Sequence, residues 1–167
     1  HERSNSHLRQ STDEQWILKN LDETVALGKN LANKLPDCSI LLLEGPLGAG
    51  KTSLVKGIAL GLGIDEAITS PTFPLAQHYP MGQPPLIHID LYRLTERQSA
   101  DELFLQEEEE AKTIAALMAV EWPERLGIAL PDAWKLKLKY LNRTERLAQL
   151  VKPSKLDKKT STSCLEG

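Results

Sequence analysis

Three features of the 167-residue sequence predict an α/β fold with a largely parallel centre and antiparallel pairing at one edge. Short apolar runs alternate with amphipathic stretches of helical period as far as residue 121. GPLGAGKT (45–52) joins one such run to one such helix. After the last of these units KLKLKYL (135–141) alternates strictly, and Asn142-Arg143 can turn it into a partner strand at 145–151. Interleaved strands and helices followed by a strand pair is the pattern of a sheet with crossover helices and one antiparallel margin.

Taken in order, residues 1–19 are polar and aperiodic apart from Trp16-Ile17-Leu18, and read as an N-terminal extension. Asn20 with Glu23 has capping-box spacing, and Leu27, Leu31 and Leu35 follow on one face, which predicts a helix over 21–35. Ser39 to Leu43 is apolar enough for a strand buried on both faces. Leu54, Val55, Ile58, Ala59 and Leu62 predict the next helix, closed by Gly61 and Gly63. Pro71 and Pro74 hold 67–75 extended, QHYPMGQPP reads as a turn region, and LIHIDLY (86–92) alternates as a strand. On that strand Leu86, His88, Asp90 and Tyr92 share a face. Thr95 with Gln98 suggests a second capping box, opening a helix that runs into Glu107–Glu110, a run expected to be solvated. Ile114 to Val120 predicts a further buried strand, ending at Glu121. The domain is expected to span 20–151, with 152–167 a disordered, lysine-rich tail.

The totals narrow the function. A net charge of −3 argues against a dedicated nucleic-acid surface, so no DNA partner is expected and RNA contact would come through other proteins. No apolar run approaches the roughly 18 residues that span a bilayer, and no signal-peptide pattern opens the sequence. Cys38 and Cys164 are far apart and read as reduced thiols, which together with the absent leader predicts a cytoplasmic location without membrane contact.

The chemistry gathers around 45–52. Gly45, Gly48, Ala49, Gly50, Lys51 and Thr52 fit G-x-x-x-x-G-K-[ST] in full. Glycines let successive N–H groups curl inward onto phosphate oxygens, and the following helix adds its positive end. Lys51 would reach the β- and γ-phosphates, and the Thr52 hydroxyl would ligate Mg²⁺. Such a site also needs a carboxylate at a neighbouring strand end, and both Asp90 and Glu121 qualify. Thr72, in the stiffened SPTF segment, can act as a γ-phosphate sensor. His88 is placed to orient Asp90 or to serve as a structural histidine, and Trp122 to pack on the nucleotide, on a partner or in the core. The single Asn-Lys pair, Asn33-Lys34, precedes the loop and lacks the Asp of a guanine-reading motif, so ATP is favoured.

GPLGAGKT (45–52), SPTF (70–73), HIDLYR (88–93) and EWPE (121–124), in this order and with fitting gaps, resemble the TsaE (YjeE) ATPases of tRNA threonylcarbamoyladenosine synthesis. The resemblance covers roughly residues 20–150 and implies a three-layer P-loop NTPase fold with a mixed sheet. It implies ATP hydrolysis that is weak alone and stimulated in a complex with TsaD and TsaB. There TsaD modifies adenosine 37 of tRNAs reading codons that begin with A, and the ATPase resets the complex. Carried over by motif, Gly48 to Ser53 would bind phosphates, Thr52 and Glu121 would hold Mg²⁺, Asp90 would be needed for hydrolysis and for the metal, and Thr72 would switch. Thr24 and Arg146 match positions near the nucleotide. The sequence departs from the family pattern at Gln106–Glu110 and in the tail. Two other readings use the same loop: a small-molecule kinase, with Arg93 and Arg97 as the arginines of its lid, or a nucleotide-gated binding module.

Overall fold

The computed structural model describes residues 14–72 and 75–154. In chain order the elements are β1 (Glu14–Leu18), α1 (Leu21–Lys34), β2 (Ile40–Glu44), α2 (Lys51–Gly61), β3 (Ala76–Tyr79) and β4 (Leu86–Asp90). Then come α3 (Arg97–Ile114), β5 (Leu117–Glu121), a 3₁₀ turn at Pro123–Arg125, β6 (Trp134–Tyr140) and β7 (Arg146–Val151). One sheet runs β1-β7-β6-β2-β5-β4-β3. The β6–β2, β2–β5 and β5–β4 pairs are parallel; β1–β7, β7–β6 and β3–β4 are antiparallel.

The parallel centre follows from composition. β2 (ILLLE) and β5 (LMAVE) carry apolar residues on both faces because helices cover both. Leu41, Leu43, Leu86 and Ala119 join Leu27, Leu31, Leu54, Val55 and Ile58 in one core, beneath α1 and α2. Leu42, Ile87, Ile89, Met118 and Val120 join Ala100 and Phe104 of α3 in the other. These are the expected three layers: a mixed sheet between helices, in the P-loop NTPase arrangement.

The helices of the first layer approach more closely than side chains normally permit. A Cβ added at Gly57 would lie 2.0 Å from the Val25 carbonyl oxygen, and one at Gly28 would lie 2.2 Å from that of Leu54. The two glycines therefore let backbone meet backbone, and this contact fixes how α2 and its N-terminal loop sit over the sheet.

Several boundaries differ from the expectation, each for a local reason. The sheet begins inside the predicted polar extension: β1 pairs with β7, with Leu18 buried, Ile17 exposed and Glu14 bonded to Lys34. QHYP is not turn throughout, since Gln77, His78 and Tyr79 belong to β3, an edge strand whose outward face is polar. Asn20 caps α1 as predicted, accepting from the Glu23 N–H at 2.9 Å. Thr95 caps nothing: α3 starts one residue later, after Glu96, and Gln98 donates to Glu102 along the helix instead. Ile114 ends that helix rather than starting a strand, because Ala115 takes φ 55° and turns the chain back. Within the Glu107–Glu110 run, Glu107 is buried and bonds His78 of β3 at 2.7 Å. Cys38 is half-buried. Cys164, Phe73, Pro74 and the tail from residue 155 lie outside the described residues, as do residues 1–13. No described helix is long and apolar enough to cross a membrane.

Gly57→Ala tests the helix crossing. Overpacking against backbone, which cannot change rotamer, should lower stability by about 2–3 kcal/mol in urea unfolding monitored by circular dichroism; an unchanged midpoint would mean that α1 and α2 can part freely.

Candidate functional site

The loop after β2 is shaped by residues that only glycine suits. Gly48 has φ 77° and Gly50 φ 108°, and the Ala49 N–H closes the turn on the Pro46 carbonyl at 3.2 Å. Gly50 is the N-cap of α2, and no side chain caps that helix. The N–H groups of Lys51, Thr52 and Ser53 have no partner within the helix, and they open on the loop's concave side. A helix start with free donors and the positive end of the macrodipole is a site for an anion, phosphate above all.

Lys51 turns back over this concavity. Its ammonium donates to the Gly45 carbonyl and, at 3.3 Å, to that of Pro46. It also lies 4.0 Å from the centroid of the Trp122 ring. Burial pushes the ammonium pKa below its ordinary value, against the pull of Glu121, Glu124 and Asp90.

The two carboxylates arrive by strand register. Asp90 ends β4 and Glu121 ends β5, and they are direct partners across the parallel pair. Leu43 of β2 is the partner of Glu121 on its other side, so the loop springs from beside the same strand end. The Thr52 hydroxyl donates to Glu121 Oε2 at 3.3 Å and lies 3.0 Å from Ser70 Oγ. Asp90 Oδ1 accepts the Tyr92 N–H at 3.0 Å, and burial raises its pKa, with Glu121 adding and Tyr92, His88 and Lys51 opposing. His88 is not the partner of Asp90 that the strand face suggested: its Nε2 lies 2.6 Å from Glu121 Oε2. His88 is the register partner of Ala119 on the next strand, two residues before Glu121.

These groups surround a cavity of about 500 Å³. Gly48, Ala49, Gly50, Lys51, Thr52, Ser53, Thr72, Asp90, Glu121 and Trp122 all line it, from four separate stretches of sequence. Gly45 enters only through the carbonyl that holds Lys51. Thr24 is buried behind the loop, its hydroxyl on the Asn20 carbonyl and its methyl 3.5 Å from where a Gly50 Cβ would stand. Arg146 lies outside the cavity, its guanidinium 4.1 Å from the Tyr140 ring centroid, while Tyr140 itself bonds the Leu47 carbonyl at 2.7 Å. Both thus support the loop rather than line the pocket. The donor set of Thr52, Asp90 and Glu121 is all oxygen, which suits a hard cation of the Mg²⁺ kind.

Among the cavity residues, Tyr92, Leu21, Leu47 and Leu75 carry no role in the sequence reading. Tyr92 packs tilted against Trp122 with ring centroids 4.8 Å apart, and Arg125 lies 5.5 and 5.8 Å from the two rings. The signal was present in EWPER, where a three-residue turn at 123–125 folds Arg125 back beside Trp122. Of the arginine pair a kinase lid would use, Arg93 lines the cavity, but Arg97 donates to the Leu126 carbonyl at 2.7 Å.

Residues 18–149 match the family model described as threonylcarbamoyl adenosine biosynthesis protein TsaE. The chain belongs to the TsaE family. Its members include relatives named tRNA threonylcarbamoyladenosine biosynthesis protein TsaE. That of Synechocystis is 44% identical over 67% of this chain and 71% of its own. That of Nostoc is 41% identical over 81% and 83%, and that of Bacillus subtilis 38% over 71% and 72%. The crystal structure of Bacillus subtilis YdiB superposes with TM-score 0.68 at 29% identity, covering 92% of this chain and 93% of that one. Membership of the TsaE family ties the chain to tRNA threonylcarbamoyladenosine biosynthesis.

The raised pKa of Asp90 has a thermodynamic sign. The folded chain binds this proton more tightly than the unfolded chain, so stability falls as pH rises from the ordinary carboxylate value through the folded one. Asp90→Asn keeps the acceptor for Tyr92 and removes the buried charge. It should melt a few degrees above the parent at pH 7, with the gap closing below pH ~4. Calorimetry that finds the variant no more stable at pH 7 would contradict this electrostatic account.

Proposed function

We propose that this chain is an ATPase of threonylcarbamoyladenosine formation at position 37 of tRNAs that read codons beginning with A. It hydrolyses ATP slowly alone and faster in a complex with TsaD and TsaB. The observation that supports this most is the convergence of an uncapped helix start, Lys51 and two strand-end carboxylates on one cavity. In this reading the N–H groups of residues 48–53 and the Lys51 ammonium hold the phosphates. Thr52 and Glu121, with Asp90 nearby, hold Mg²⁺, which when bound offsets the charge that develops on the transferred phosphoryl group. Asp90, whose burial strengthens it as a proton acceptor, orients the attacking water. Thr72 at the rim senses the γ-phosphate. Contact with tRNA comes through the partners, and the reaction is placed in the cytoplasm.

A kinase reading has less support, because Arg97 is engaged by Leu126 and only Arg93 faces the cavity. Its observable would be phosphate transfer to a small acceptor.

ATP turnover measured with and without purified TsaD–TsaB decides between them. We expect strong stimulation by the pair; no stimulation, together with phosphorylation of a small acceptor, would sink the ATPase reading. Glu121→Gln should lower stimulated turnover on the order of 100-fold, because the carboxylate charge is lost while the shape is kept. In cells, Lys51→Ala should deplete threonylcarbamoyladenosine from tRNA, read by mass spectrometry of digested nucleosides, and normal levels would count against the assignment.

A further inference from the structure

The pair beneath the site goes beyond the P-loop machinery. His88 is wholly buried and Glu121 is 3% exposed, so two polar groups sit in the apolar interior of the sheet's α1/α2 face. A carboxylate in such a place is costly unless charge-assisted hydrogen bonds replace its water. His88 Nε2 at 2.6 Å is the shortest of the contacts that do so, and the Thr52 hydroxyl at 3.3 Å is the other. Both fall on Oε2. Among the described residues no group donates to Oε1, which leaves that oxygen for whatever occupies the cavity.

The other ring nitrogen decides which way the short bond runs. His88 Nδ1 is buried with no hydrogen-bond partner among the described residues. A proton on Nδ1 would be an unpaired buried donor, and with the proton there alone the Nε2 lone pair would face the carboxylate. With the proton on Nε2 only a bare acceptor is left over, the cheaper of the two omissions. The Nε2–H tautomer is therefore the one the surroundings select.

We infer that His88 is the positioning residue of the divalent-cation site: its Nε2–H clamps Glu121 Oε2, fixing the rotation of the carboxylate so that Oε1 is presented to the cation. This rests on the proposed nucleotide site and names a part of it that neither the loop nor the strand-end acids contain. His88 touches neither nucleotide nor metal, so its removal affects cation binding and leaves phosphate binding in place. Partners of this kind, one bond behind a ligand, typically carry 10–100-fold in metal affinity.

Binding of a fluorescent ADP analogue separates the roles without needing turnover. In EDTA, the parent, His88→Leu and His88→Gln should bind it within about 2-fold of each other. Titrated with Mg²⁺, His88→Leu should need at least 10-fold more cation for half-maximal effect. His88→Gln, which restores an N–H at similar reach, should recover most of the loss. Equal Mg²⁺ requirement in the parent and folded His88→Leu overturns the inference, as does a Gln variant no better than Leu. A parent that binds the analogue with no Mg²⁺ dependence overturns the proposed site itself, which keeps the two failures distinct. Should His88→Leu not fold, nitrogen NMR of the ¹⁵N-histidine-labelled parent decides directly. A proton on Nε2, with a resonance that moves on adding Mg²⁺ to the ADP complex, supports the clamp; a proton on Nδ1 refutes it.

Discussion

The parallel register of β2, β5 and β4 is the constraint on which the rest of the site depends. Because Leu43 pairs with Glu121 and Glu121 with Asp90, three strands end at one level. The phosphate loop, a cation ligand and a second acid therefore issue side by side. A slip of one residue in β5 would turn Glu121 to the α3 face and bring Val120 to the site. These largely apolar strands hold this register because both of their faces are committed to separate cores. Helix α2 completes the arrangement only because Gly28 and Gly57 let α1 press it down onto those strand ends.

Gathering these groups has an electrostatic consequence. Lys51, Asp90 and Glu121 line one cavity, and burial works against the charged form of both Lys51 and Asp90. The opposite charges of Lys51 and Asp90 offset part of that cost for one another. A stable fold would be better served by apolar groups at these positions. The fold retains the charges at the mouth of the loop, where an anion and a cation together would complete their coordination, and perturbed groups clustered in a cleft are the mark of such sites.

Much of this was legible in the sequence. The glycines, Lys51 and Thr52 form a contiguous motif whose geometry is local, so spacing alone conveyed it. Asp90 and Glu121 could be paired because each closes an apolar run, and runs of that kind become adjacent parallel strands. What escaped was set by tertiary contact. The partner of His88 lies 33 positions away on the next strand, whereas a periodicity argument sees only its own strand face and offered Asp90. The polar edge strand β3 lacks the apolar alternation that marks a buried one, and its His78 meets Glu107 of α3 across 29 positions of sequence. Glu107 looked like one of four equivalent acids, yet a helix turns 100° per residue and so buries one and exposes another.

Trp122 joins these threads. It is a non-glycine residue at φ 59°, a conformation that costs about 1 kcal/mol and persists only where the surroundings enforce it. Glycine would relieve that strain but would forfeit the ring, which meets Tyr92, Arg125 and Lys51 at once. The backbone reversal is what brings the indole back over the loop immediately after β5 ends. Its face supplies Lys51 with a cation–π contact, and two carbonyls supply the rest. All three partners are neutral. They are sufficient to hold the ammonium in place above the loop, and weaker than the bonds that anionic phosphate oxygens would offer. The lysine is thus preorganised without being satisfied, and the strained tryptophan is part of the reason it waits where an anion would bind.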